Sequence, residues 1–113
     1  MNESILTTIK KLLGIAEDDT SFDTDVKIHI NSVFSIITQL GVGPETGFAI
    51  TGATETWSDF LSDMSKLEMV KTYVYLKVRL IFDPPQSSRV IESYENQIKE
   101  LEFRMNVQVD PAE

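Results

Sequence analysis

The chain has 113 residues, of which 42% are hydrophobic and 25% charged, proportions typical of one soluble globular domain. Its 18 acidic and 10 basic residues give a net charge of -8, which opposes tight binding to a nucleic-acid backbone but allows DNA to pass nearby. The absence of cysteine excludes disulfides, thiolate metal sites and a thiol nucleophile. The start, MNESILTTIKK, has an acid and no long apolar core, so we expect no signal peptide, and no run of apolar residues predicts a membrane span.

Two helices are predicted in the first 40 residues. Ile5, Ile9 and Leu12 recur at helical spacing and predict a helix over residues 3–13, which Gly14 ends. The acidic segment 17–25 follows, and the second helix begins within it. Four of its side chains are competent N-caps: Thr20, Ser21, Asp23 and Thr24. The aspartates do not match the spacing of a calcium-binding loop, so we assign them to capping and solvation.

The second helix is followed by one long loop. An apolar stripe through Val26, Ile30 and Val33 carries the helix to about Leu40, before the glycines and the proline of GVGP stop it. Residues 41–56 are rich in glycine and hydroxyl groups and predict a loop, with a small β-hairpin about Thr51-Gly52 as one option. Such a loop either contacts a partner or forms a flap packed by its own Phe48.

Two capping patterns then predict two further helices. Thr56 followed by Asp59 predicts a short helix, and Ser65 followed by Glu68 predicts a longer one through LEMVKTYVYLKVRLIF. The longer helix is apolar on most of its circumference, which indicates either a central position or a helix shared with a neighbouring subunit. One stripe comprises Leu67, Val70, Val74, Val78 and Ile81, and the other comprises Met69, Tyr73, Leu76 and Leu80.

A double proline separates the last two helices. We predict that Asp83 is the N-cap of the final helix, with Pro84 and Pro85 in its first turn and Gln86 completing a capping box. A start at Ser87 or Ser88 is the alternative. The final helix runs to about residue 106 and packs against its predecessor as a hairpin, and the tail 107–113 is a candidate for disorder.

These elements predict an all-α fold, a small bundle of four to five helices in a single domain spanning residues 1–113. The sequence shows no convergent catalytic group, since His29 is the only histidine and no phosphate-binding, metalloprotease or nucleophile motif occurs. We therefore expect no enzyme activity, no metal and no cofactor. Four aromatic residues, Trp57, Tyr73, Tyr75 and Tyr94, favour core or interface packing over base stacking because basic residues are not interleaved with them.

The order of these features resembles the small head–tail connector (adaptor, head-completion) proteins of tailed phages and prophages, the HK97-type group. The resemblance covers about residues 5–107 and is strongest in KTYVYLKVRLIFDPPQSS, from Lys71 to Ser88. It implies a structural subunit of the virion head–tail joint, made in the bacterial host cytoplasm. About a dozen copies would form a ring below the portal protein, extend the DNA channel without specific DNA binding, and dock the next head-closure or tail protein.

The resemblance marks no contact residues, so candidate surfaces are inferred from position. The candidate subunit interface comprises Met69, Tyr73, Leu76, Leu80, Phe48 and Ile50. The candidate portal-facing segment lies in residues 103–113 and includes Phe103, Arg104, Val107 and Val109. An alternative function is a small acidic regulatory module that binds one partner protein through an exposed apolar helix, and a nonspecific nucleic-acid binder is disfavoured by the net charge.

Overall fold

The computed structural model describes residues 3–61 and 64–109, with side chains at 3–61 and 66–106, and this part of the chain forms five α-helices and no strand. The helices are α1 (Ile5–Leu13), α2 (Asp23–Gln39), α3 (Trp57–Phe60), α4 (Met64–Phe82) and α5 (Ser88–Val109). The prediction of an all-α fold is confirmed. Helices α1 and α2 pack against α4, which also packs against α5. The chain is only 20 Å thick along its shortest axis, against 45 and 35 Å along the others.

Helices α1 and α3 begin at the same point of the fold. The side chain of Ser4 accepts a hydrogen bond from the Thr7 N–H and caps α1, while Thr56 and Asp59 form a reciprocal capping box at α3. The two capping residues also pair as an isolated antiparallel bridge. The box at Thr56 confirms the sequence-based prediction, whereas the cap at Ser4 was not predicted. This bridge thus joins the start of α1 to a residue 52 positions later in the chain.

The core is built on the predicted stripe of α2. Val26, Ile30 and Val33 are fully buried, and an aromatic cluster of Phe34, Trp57 and Phe60 closes one end. The Trp57 indole N–H donates to the hydroxyl of Thr8 at 3.2 Å, so the cluster also anchors α1. Buried aromatic rings contribute large apolar area, so this cluster is expected to contribute strongly to the stability of the fold.

Helix α2 begins at Asp23, within the predicted segment 17–25, but its N-cap is not one of the predicted residues. The N-cap position is held by Phe22, which has no capping side chain, so none of the four predicted capping residues occupies it. The carboxylate of Asp23 instead lies 2.8 Å from the Nζ of Lys10, a buried lysine that also donates to the Glu17 carbonyl at 3.0 Å. A charge-assisted contact of this kind is stronger than a neutral capping hydrogen bond, which explains why the Asp23 carboxylate pairs with Lys10 rather than capping the helix.

The start of α5 is a second correction. The helix begins at Ser88, so Asp83 is not its N-cap and Pro84, Pro85 and Gln86 lie in the connection rather than in the first turn. The alternative start is the one observed, and Ser87 occupies the N-cap position, with its hydroxyl 3.4 Å from the Val90 N. The physical reason is that a residue before proline avoids helical angles, and this rule applies to Pro84 as well as to Asp83.

Candidate functional site

The surface features of the described residues concentrate on the α4–α5 hairpin and on the loop 41–56. Within residues 3–61 and 64–109 no group of three or more histidine, aspartate or glutamate side chains is arranged to hold a metal ion. His29 is half-buried, with its ring beside that of Phe82 at a centroid distance of 6.5 Å. None of the described helices is long and apolar enough to cross a membrane.

Helix α5 covers the second apolar stripe of α4. Tyr73 and Leu76 are buried in the chain's own core, and the Tyr73 hydroxyl donates to Glu102 Oε2 at 2.7 Å. Burial, reinforced by that hydrogen bond, raises the pKa of Tyr73 well above its ordinary value. Ile98 and Met105 of α5 are also buried in this core. The apolar circumference of α4 is thus explained largely by packing within the chain itself.

This packing corrects part of the predicted subunit interface. Tyr73, Leu76 and Ile50 are buried inside the chain and present no surface to a neighbour. Helix α5 supplies the cover that the sequence pattern had left open. The other three members, Met69, Leu80 and Phe48, are half-buried and pack against the core.

A set of polar contacts centred on Arg79 holds together the end of the α4–α5 hairpin next to the connection between the two helices. Arg79 donates from Nε to the Asp83 carbonyl at 2.7 Å and from Nη1 to the Tyr75 hydroxyl at 3.0 Å. The Tyr75 hydroxyl also interacts with Tyr94 of α5, and this interaction is the main cause of the raised pKa of Tyr94. The cation at the last turn of α4 also interacts favourably with the helix dipole. Arg79 therefore fixes the backbone at the end of α4, while Ser87 takes the N-cap position of α5 that the sequence had assigned to Asp83.

The candidate portal-facing segment forms the end of α5. Phe103 is 69% exposed and Arg104 pairs with Glu100 at 2.6 Å on the helix surface. The backbone of Val107 and Val109 continues the helix three residues beyond the predicted end, while their side chains lie outside the described part, as do residues 110–113. An exposed phenylalanine of this kind is an available anchor for a partner surface.

The loop 41–56 is held in place by specific contacts. Asn31 of α2 accepts from the Ile50 N–H at 2.7 Å and donates to the Ile50 carbonyl at 3.0 Å. Phe48 packs at ring-centroid distances of 5.2 Å from both Phe34 and Phe60. Gly43 has a φ of 87°, and a Cβ at this position would clash with the Phe60 ring. The segment contains no strand, so the optional β-hairpin is not formed, and the contacts of Phe48 match the flap interpretation.

The far end of this loop is closed by a carboxylate. Glu55 Oε2 accepts from the Thr51 N–H at 2.9 Å and from the Thr51 hydroxyl at 2.8 Å. Burial alone would raise the pKa of Glu55, but these hydrogen bonds outweigh it and the pKa is lowered. Lys27 of α2 also approaches the Thr51 carbonyl at 3.5 Å. These hydrogen bonds hold the loop in a defined conformation on the surface of the chain.

The described residues form an all-helical protein with several exposed apolar side chains. A family model described as phage connector protein matches residues 5–112. No curated protein and no solved structure gives a significant match. The chain belongs to the phage connector protein family, whose members are structural proteins of the head–tail joint. The family assignment agrees with the resemblance seen in the sequence, and the expectation of a structural, non-enzymatic role is consistent with it.

Proposed function

We propose that this protein is the subunit of a ring that sits below the portal at the head–tail joint, extends the DNA channel, and docks the next head-closure or tail protein. The observation that carries the proposal is the family match over residues 5–112, which covers all five helices. The subunit is made in the cytoplasm of the bacterial host and joins the virion during assembly.

The physical properties of the chain support this role. With a net charge of -8, the assembled ring repels the DNA phosphates, so DNA moves through the channel without being held. Large apolar side chains remain exposed on the outside of the core, among them Leu12, Ile28, Ile81 and Phe103. Exposed apolar area of this kind is covered when a subunit contacts its neighbours.

The alternative of a regulatory module has less support. It required an apolar helix that is exposed in the free chain, and α4 was the helix that suggested it. Most of both α4 stripes is buried under α2 and α5, which leaves Ile81 as the exposed large apolar residue of that helix within residues 66–82. The regulatory function is therefore not carried by a specific observation.

The ring proposal is tested by size-exclusion chromatography with light scattering, followed by negative-stain imaging, with and without the portal protein. We expect the chain to co-elute with the portal and to add a layer of density beneath it. A chain that shows no ring and no portal complex at any concentration contradicts the proposal.

A further inference from the structure

The second half of α2 and the loop after it form a surface almost without charge. Residues 28–54 contain one formally charged side chain, that of Glu45, although 25% of the whole chain is charged. Several of these residues are nevertheless exposed to solvent, among them Ser35, Gln39 and Ala49. The centre of a protein interface is depleted in charged residues in the same way. The composition of this region is therefore that of an interface centre rather than that of a solvated face.

A groove of about 370 Å³ crosses this surface between α2 and the loop. Ser35 and Gln39 line one side of it, and Thr46, Phe48 and Ala49 line the other. Within the described part of the chain, the side chains of Ser35, Gln39 and Thr46 make no hydrogen bond. None of the residues that line the groove is charged, so it offers donors and acceptors to a neutral polar ligand and no partner to an ion.

The loop side of the groove is an extended stretch, residues 47–50, which contains no helix, turn or bend. Its side chains alternate, since Phe48 and Ile50 pack into the core and Ala49 is exposed. The Asn31 amide accepts from the Ile50 N–H at 2.7 Å and donates to the Ile50 carbonyl at 3.0 Å. A side-chain amide therefore bonds one residue of this stretch in the way that a neighbouring β-strand would.

Phe48 presents a free backbone on the same side of this stretch. In an extended chain, residues two positions apart direct their N–H and C=O groups to the same side. The groups of Phe48 therefore face α2, as those of Ile50 do, and Ser35 lies one helical turn beyond Asn31. Neither the N–H nor the carbonyl of Phe48 makes a hydrogen bond within the described residues. Unpaired groups of this kind on an extended stretch are a template for a further strand.

The stretch is already held in the conformation that a partner strand needs. The ring of Phe48 lies 5.2 Å from the ring centroids of both Phe34 and Phe60, and the Asn31 amide fixes Ile50. Main-chain hydrogen bonds to a preformed segment supply affinity, because little conformational entropy of that segment is lost on binding. The ordering cost of binding therefore falls mainly on the incoming peptide.

We propose that this groove, formed by Ser35, Gln39, Thr46 and Phe48, binds an extended, uncharged peptide segment of the head-closure or tail protein that docks on the ring, here called the docking protein. The segment pairs with the backbone of Phe48, and its other polar groups bond Ser35 and Gln39. The inference rests on the proposed function and names the surface on which that docking takes place.

The other connections of the chain argue against a second copy as the occupant. Within the described residues, the connection 14–22 is acidic, 83–87 contains two prolines, and 54–57 is already paired with the start of α1. None of them supplies an uncharged strand with free backbone groups. Pairing of the stretch 47–50 with itself would be two-fold, and a two-fold contact closes a dimer rather than a ring. The occupant is therefore a segment of a different protein.

Charged substitutions in the groove test the inference through binding of the purified docking protein to the portal-bound ring. Ser35→Glu and Ser35→Lys each place an ion among uncharged groups, and because Ser35 is exposed both variants should keep the wild-type unfolding midpoint. Each should weaken binding by roughly tenfold or more, whichever sign of charge is introduced. Ser32→Glu is the matched control, since it changes an exposed serine of α2 outside the groove and should leave binding unchanged.

Amide hydrogen exchange gives a readout that a general surface effect would not move. In the free chain the Phe48 amide should exchange quickly and the Ile50 amide slowly, because of these two only that of Ile50 is bonded, to Asn31. With the docking protein bound, or with the short peptides that cover its sequence, the Phe48 amide should become protected and that of Ile50 should change little. A Phe48 amide that still exchanges quickly in a saturated complex would overturn the strand pairing.

The remaining outcomes separate the inference from the proposed function. A docking protein that binds rings of the wild type and of both Ser35 variants with equal affinity overturns the inference and leaves the proposed function standing. Protection of the Phe48 amide on self-association of the chain alone identifies a second copy as the occupant and also overturns the inference. A chain that assembles with no portal and no docking protein overturns the proposed function, and the inference falls with it.

Discussion

The end of the bundle around α3 and the C-terminal helix α5 are held by different means. The first is fixed by aromatic packing of Phe34, Trp57 and Phe60, by two capped helix starts and by the clamp of Asn31 on the loop. Helix α5 packs on α4 through a seam in which Ile98 and Met105 are buried, with polar contacts at Glu102 and Tyr94.

The difference indicates which part of the subunit is a platform and which part is an attached element. A region with a dense core contributes most of the stability, whereas a helix with few buried side chains opens at lower free energy. We therefore expect α5 to be the less stable element, although it bears the exposed Phe103.

Replacing Trp57 should have the greatest effect on the platform. Trp57→Ala removes a fully buried indole together with its hydrogen bond to Thr8, and we expect a loss of about 3–5 kcal/mol in the free energy of unfolding. Urea denaturation measures it, with Trp57→Phe as a control that should retain much of the packing. A loss below about 1 kcal/mol would mean that this region is not the centre of stability.

Truncation of Met105 should act mainly on α5. Met105→Ala should cost about 2–3 kcal/mol because the side chain is buried in the seam against α4. Hydrogen exchange should show faster exchange in α5 and unchanged exchange in α2. Phe103→Ala is the control, and as an exposed change it should stay within about 0.5 kcal/mol of the wild type. Equal acceleration in both helices would show that α5 opens only with the whole domain.

The same contrast explains what sequence reasoning achieved. The capping box at Thr56, the stop at Gly14 and the α2 stripe follow local rules, and the structure agrees with each of them. The wrong predictions concern positions where contacts between helices distant in sequence override the local pattern. The Asp23 carboxylate forms an ion pair with Lys10 instead of capping α2. The second stripe of α4 is covered by α5, and the periodicity of α4 alone cannot distinguish a face buried within the chain from a face shared with a neighbour.

The corrected start of α5 predicts a smaller effect with a definite order. Ser87→Ala should destabilise the protein by about 0.5–1 kcal/mol because Ser87 is the N-cap. Asp83→Ala should stay within about 0.5 kcal/mol, since the backbone of Asp83 makes the contacts with Arg79. Thermal unfolding of the two variants side by side decides the point. The reverse order would restore Asp83 as the cap.

The smallest expected effect concerns pH and the loop. Because the folded pKa of Glu55 lies below its ordinary value, its carboxylate stabilises the fold above that value and the contribution is lost as pH falls through the folded pKa. Glu55→Gln should therefore lower the unfolding midpoint at about pH 7 and have a progressively smaller effect as the pH falls below the ordinary carboxylate range. Glu45→Gln, an exposed change in the same loop, is the control. An effect that persists unchanged in acid would show that the carboxylate charge is not responsible.

The central claim is that many copies of this chain assemble on the portal, and native mass spectrometry of the purified complex tests it most directly. The account predicts a mass equal to that of the portal ring plus about a dozen copies of the 12.8 kDa chain. At saturation, no portal complex should carry only one copy. A complex that saturates at one or two subunits, or a portal that binds none, would contradict the account.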